Sequence, residues 1–132
     1  MIPTTLHGAI DYLVALILIV APYMLGFADG GAAQWATIGL GVFVLVYSLL
    51  TDYELGMIRI LPFRVHLVLD VIFALTLLAS PFVLGFSDRI WWPHVLLCIM
   101  GLVVTAFTAR HTDRFSQTTG GSNPNLGDRR LK

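Results

Sequence analysis

A histidine and an aspartate stand four residues apart twice in this chain, as His7 with Asp11 and His66 with Asp70, and a proline precedes each pair by the same distance, Pro3 and Pro62. Spacing of four stacks side chains along one face of a helix. An imidazole can change its charge near neutral pH, and a neighbouring carboxylate can hold or take its proton. The same imidazole can also ligate a haem iron. Three readings therefore stand side by side. In the first, Asp11 and Asp70 bond their own histidines or the first-turn amides and lock the helix ends. In the second, His7, Asp11, His66 and Asp70 form a proton or ion pathway. In the third, His7 and His66 are the axial ligands of a haem b. No metal site is assigned.

The elements that would carry these residues follow from composition. Hydrophobic residues are 57% of the chain and charged residues only 12%, and the mean hydropathy is +0.82, too apolar for a soluble domain to cover its surface. The apolar residues fall in four runs, Ala9 to Phe27, Trp35 to Leu50, Val65 to Phe86 and Ile90 to Ala109. Each is close to the roughly 20 residues that cross a ~30 Å hydrocarbon layer, and Gly31 to Ala33 can lengthen the second. A secretory signal is not expected in the first run, because no Lys or Arg precedes it and a close copy lies mid-chain at residues 62 to 88.

Four spans put both termini and the 51 to 64 loop on one side. Of the 8 basic residues, Arg89 alone lies on the other side, so the sequence predicts cytoplasmic termini. Trp35, Trp91 and Trp92 at the outer interface agree, as do Tyr47, Tyr53 and Phe107 at the inner one.

The repetition extends well beyond the His/Asp pairs. Residues 3 to 29 align with 62 to 88, matching Ala15 with Ala74, Leu16 with Leu75, Leu18 with Leu77 and Pro22 with Pro81; after a one-residue slip Gly41 meets Gly101 and Tyr47 meets Phe107. Each unit is two helices, an even number, so the copies are expected to be parallel and related by a pseudo-two-fold axis along the membrane normal, with His7/Asp11 and His66/Asp70 at equal depth and each histidine within reach of its own aspartate or that of the other repeat. Repeat one spans about 3–53 and repeat two about 62–110, within a transmembrane domain of residues 1–109.

The first helix of each unit closes on a shared phrase, APYMLGFAD at 21 to 29 and SPFVLGFSD at 80 to 88. Its residues read as turn chemistry. Pro22 and Pro81 bend the helix near its end, and Gly26 and Gly85 suit a left-handed cap with Phe27 and Phe86 packing back. Asp29 and Asp88 are placed to cap the helix that follows. The phrase resembles the SPW-repeat family of small bacterial membrane proteins, named for a Ser-Pro-Trp triplet at this place. Here Tyr23 and Phe82 stand where that triplet has Trp, so the likeness rests on the Pro-aromatic step, the Leu-Gly-Phe and the repeat over about residues 3 to 110. The resemblance implies a four-helix integral membrane protein and no established activity.

The remaining sequence is less informative. Cys98 is the only cysteine, which excludes disulfide exchange within one chain, and no phosphate loop, HExxH or nucleophile elbow is present. His94 reads as an interfacial polar residue and His111 as part of a solvated juxtamembrane cluster. Ala33, Thr37 and Gly41, and likewise Gly101, Thr105 and Ala109, form small-residue seams for helix packing or self-association. The segment LGMIRILPF before helix three is a candidate amphipathic stretch on the inner leaflet, and residues 110–132 are expected to be a disordered cytoplasmic tail. These features together predict a small structural, scaffold or accessory subunit of the bacterial inner membrane, without catalysis or cofactor. Its expected partners are lipid and either further copies of itself or a larger complex, not nucleic acid. A proton- or ion-conducting oligomer, or a b-type haem protein, is the alternative.

Overall fold

The computed structural model describes residues 2–119, with side chains through residue 110. In hydrocarbon every backbone amide and carbonyl must find a partner inside its own segment, and the apolar runs accordingly form four helices: α1 (Thr4–Met24), α2 (Ala32–Leu50), α3 (Phe63–Val83) and α4 (Trp92–Thr119). Each contains 19 to 21 residues apolar enough to span a bilayer, a rise of about 28 to 32 Å at 1.5 Å per residue. The chain is an all-α membrane protein.

Pro3 and Pro62 start α1 and α3 as the sequence predicts. Their carbonyls accept the first helical bonds, from the amides of His7 (3.0 Å) and His66 (3.1 Å), so the proline that opens each helix also sets the position of its histidine. At the far ends the doubled phrase closes both helices alike. Gly26 (φ 77°) and Gly85 (φ 74°) take the left-handed conformation, and the amides of Phe27 and Phe86 each bond back, at 2.9 Å, to the carbonyls of Pro22 and Pro81. This is the six-to-one bond of a Schellman turn. Both helices run on past their proline, to Met24 and Val83.

Three local expectations are corrected. Asp29 does not cap α2: that helix starts after Gly31 with no side-chain cap, and Asp29 instead accepts from the Gly31 amide at 2.9 Å and pairs with Arg89. Nor does Asp88 cap the next helix among the described residues, because α4 begins only at Trp92. The third concerns the tail. Helix α4 continues to Thr119, since no Gly or Pro interrupts the chain between Ala109 and Gly120; residues 120–132 of the expected tail lie outside the described residues. Residues 55–62 of the LGMIRILPF stretch are not helical. They fold back on the end of α2, with the amides of Met57 (2.8 Å) and Ile58 bonding the Leu49 carbonyl and that of Leu61 bonding Leu50.

The helices pack in a ring. α1 lies on α2 and α3 on α4, α2 meets α3 and α4 meets α1, whereas α1 and α3 make no close backbone approach among the described residues. Val14, Leu18, Val44, Phe73, Leu77 and Leu97 fill the centre. The N-terminal turns of α1 and α3 meet through His7 and His66 at one end, and their C-terminal turns lie together at the other, where Phe27 and Phe86 join Ala21, Ala33 and Ile90. Outward faces are as apolar as the core, as lipid requires. The small-residue seam of α2 serves packing within the chain: a Cβ on Gly41 would stand 2.9 Å from the Ala15 carbonyl oxygen and from Leu18 Cβ. Gly101 in α4 meets nothing within 4 Å, so its seam is not equivalent.

The Asp29–Arg89 pair joins the two outer turns. Arg89 and the Gly31 amide hold the Asp29 carboxyl below its ordinary value. A depressed folded-state pKa gives stability that is full above the unfolded value, about 3.9, and fades as pH falls through the folded value. Both side chains are exposed, so the contribution is small and salt-screened. Arg89→Gln is expected to lower the thermal midpoint slightly at neutral pH and low salt, and to leave it unchanged in strong acid or high salt, as followed by scanning fluorimetry in detergent.

Candidate functional site: a buried histidine-aspartate cluster

His7, Asp11, His66 and Asp70 come together in the bundle interior, all four buried, with His66 fully so at 0% exposure. The shortest contacts run between the repeats and not within them. His7 Nε2 lies 2.9 Å from Asp70 Oδ2 and His66 Nε2 lies 3.0 Å from Asp11 Oδ2. The same-helix pairs are longer, 3.5 Å for His7 to Asp11 and 3.4 Å for His66 to Asp70. Of the two pairings open to each histidine, its own aspartate or that of the other repeat, the crosswise one is the shorter. The reason is that α1 and α3 face each other across the interior, and a side chain at the centre reaches the opposite helix as easily as the next turn of its own. The two Nε2 atoms are 3.3 Å apart.

Groups that the repeat pattern does not single out fix the imidazoles. His7 Nδ1 lies 2.9 Å from Thr108 Oγ1, and His66 Nδ1 lies 2.7 Å from Thr51 Oγ1. Each hydroxyl donates its own hydrogen to a helix carbonyl, Thr108 to Val104 (2.8 Å) and Thr51 to Tyr47 (2.6 Å). A hydroxyl that is spent as a donor can only accept from the ring, so both Nδ1 atoms carry hydrogen. Both Nε2 atoms therefore point into the cluster, where each bonds a carboxylate only by carrying a second proton, or else both kinds of atom hold a cation between them.

The two carboxylates are not equivalent. Asp70 accepts from the Tyr47 hydroxyl at 2.7 Å and from Thr105 at 3.3 Å in addition to meeting His7. Asp11 Oδ2 is buried without an aligned hydrogen bond, close though it lies to His66. The repeat explains this difference: Tyr47 of the first unit corresponds to Phe107 of the second, which has no hydroxyl. Extending the same pairing sets Thr108 against Ser48, yet Thr51, one turn later, is the residue that reaches His66.

The cluster is closed on both sides. Tyr53, from the loop after α2, packs its ring against His66 at 5.5 Å and fills the space beside Gly8, where any Cβ would clash with it. Phe63 stacks on His66 at 5.6 Å and 14°. Beyond Asp11 and Asp70 the bundle is filled by Val14, Val44, Phe73 and Leu97, which border a cavity of about 20 Å³ beside the cluster, room for one small ion or water. Toward the other end His94, expected at the interface, is buried against Phe86, because α4 starts at Trp92 and turns the third residue of that start inward. Its Nε2 lies 3.1 Å from Thr37 Oγ1. Cys98 is buried mid-span as expected. The side chain of His111 lies outside those described.

Residues 5–110 match the family model described as the SPW repeat domain. No curated protein and no solved structure is similar enough to match.

Proposed function

From the premise that this chain belongs to the SPW repeat family, we propose that it is a structural or accessory subunit of the bacterial inner membrane, without catalysis, in which the four buried polar groups brace the two repeats. One observation carries this reading: the shortest His/Asp contacts tie α1 to α3, the two helices that make no close backbone approach of their own. The brace acts where packing does not reach. In this reading the repeats are parallel copies about a pseudo-two-fold axis, with both termini cytoplasmic. The near-equal contacts at the cluster and the paired outer turns support that arrangement. Among the described residues the lipid-facing helix surfaces offer the largest area for assembly with further copies or a partner complex.

Conduction through one chain is less well supported, since Val14, Leu18, Val44, Phe73, Leu77 and Leu97 separate the cluster from the Thr37–His94 pair with an apolar layer. Haem b is disfavoured by the cluster's shape: the rings meet edge to face at 5.3 Å with their Nε2 atoms 3.3 Å apart, too close to hold an iron and its porphyrin between them. Three measurements test the proposal together. The purified protein is expected to be colourless, to pass protons across liposomes no faster than empty vesicles, and to run as a defined oligomer or complex by light scattering. A Soret band lost in His66→Ala, or proton flux lost in Asp11→Asn/Asp70→Asn, would replace it with one of the alternatives.

A further inference from the structure

We propose that the His7, Asp11, His66 and Asp70 cluster is a binding site for one divalent first-row transition-metal ion of the zinc class. The inference rests on the bracing role just argued and adds its occupant. Four ligand atoms from two helices converge, Nε2 of His7 and His66 and one carboxylate oxygen each of Asp11 and Asp70, all within 4.8 Å of one another.

Five of the six edges approach those of a tetrahedron, and the sixth, between the two carboxylate oxygens, is at most 4.8 Å. Zinc binds imidazole nitrogen and carboxylate oxygen at about 2.0 to 2.2 Å, and a tetrahedron of that size has edges of roughly 3.3 to 3.6 Å. Five edges of the cluster measure 2.9, 3.0, 3.3, 3.4 and 3.5 Å, so small movements would seat an ion at the centre. Ligand chemistry agrees, since mixed imidazole and carboxylate sets suit borderline divalent ions. Two neutral imidazoles and two carboxylates also balance the charge of a dication, which removes the need for any other counter-charge in a low-dielectric interior.

Two further observations point the same way. Thr108 and Thr51 hold the Nδ1 hydrogens, which fixes the tautomer that aims both Nε2 lone pairs inward; a hydrogen bond from the far ring nitrogen is the usual support of a metal-bound histidine. Asp11 Oδ2, buried and without an aligned hydrogen bond, is a ligand atom lacking the partner that burial normally demands. Entry would be from the end where α1 and α3 begin, past Tyr53.

The test uses the full chain purified without a histidine tag, stripped with chelator and then titrated with Zn²⁺ or Co²⁺. One metal ion per chain is expected, with the visible ligand-field bands of tetrahedral Co²⁺ and a rise in the unfolding midpoint. His66→Gln and Asp11→Asn should lose the Co²⁺ bands. Thr108→Val keeps all four ligands but removes the support of His7, and it should weaken affinity by roughly 10- to 100-fold while remaining folded by circular dichroism. His94→Ala should bind as the wild type does. Absence of saturable binding by folded wild-type protein, or unchanged Co²⁺ bands in both His66→Gln and Asp11→Asn, overturns the metal site. Neither result touches the bracing role, which fails separately if removing Asp70 leaves the stability of the metal-free protein unchanged.

Discussion

Asp70→Ala is expected to destabilise the folded protein by about 3–5 kcal/mol, the range found when one partner of a buried ionic pair is removed. The cost arises from what stays behind. The Tyr47 hydroxyl, the Thr105 hydroxyl and His7 all converge on this carboxylate, and all three are buried. Asp11→Ala is expected to cost less, about 1–3 kcal/mol, since Asp11 Oδ2 is not aligned in a hydrogen bond. Asp70→Asn, which retains an acceptor for Tyr47, should fall between the two. Unfolding of the metal-free protein in mixed micelles, followed by circular dichroism, gives the three values. Equal costs for Asp70→Ala and Asp11→Ala would mean that the hydrogen bonds of Tyr47 and Thr105 contribute nothing.

The inequality shows what the repeat pattern can and cannot reveal. Equivalent positions in two copies imply equivalent surroundings only as far as the copies agree, and they part at Tyr47 and Phe107. Within each copy the four-residue spacing made the same-helix pair, His7 with Asp11, the natural reading. The repeat puts His7 and His66 at equal depth and leaves both pairings open, but spacing along one helix does not decide between them, and the crosswise contacts of 2.9 and 3.0 Å are the shorter. The four residues read as one polar cluster, yet spacing alone does not show that four ligand atoms come within 4.8 Å of one another. A single convergent ligand set exists only after α1 and α3 are placed together.

The spans, the turns and the family were legible because each depends on local chemistry. Length and apolarity mark a helix that crosses a bilayer, and Gly26 and Gly85 mark the only residue type that takes a positive φ without strain. The caps were misassigned where a nearer partner intervened: Asp29 found the Gly31 amide and Arg89 before it could reach α2. Thr51 and Thr108, which set the tautomers of both histidines, carried no signal, because a threonine near the end of a membrane helix most often bonds its own preceding turn. These two do that as well, and the roles they take at the cluster follow from it.

Leu18→Ala and Leu77→Ala are each expected to cost about 2–5 kcal/mol, while Leu16→Ala and Leu75→Ala should cost less than about 1 kcal/mol. All four leucines lie in equally apolar stretches, and only Leu18 and Leu77 share the helix face of Asp11 and Asp70. The structure agrees: Leu18 and Leu77 are 1% and 0% exposed, against 59% for Leu16 and 53% for Leu75. A leucine that faces lipid exchanges one hydrocarbon neighbour for another when truncated, whereas a central leucine leaves a void that the ring of helices closes only in part. Leu18 also packs near Gly41, where the close approach of α1 and α2 limits that collapse. Since the two central leucines occupy matching places in the repeats, their costs should be similar. Mixed-micelle unfolding of the four variants checks both halves of the statement. A large loss in Leu16→Ala or Leu75→Ala would locate a packed interface on the face here described as meeting lipid, and a several-fold disparity between Leu18→Ala and Leu77→Ala would mean that the two repeats do not share the core evenly.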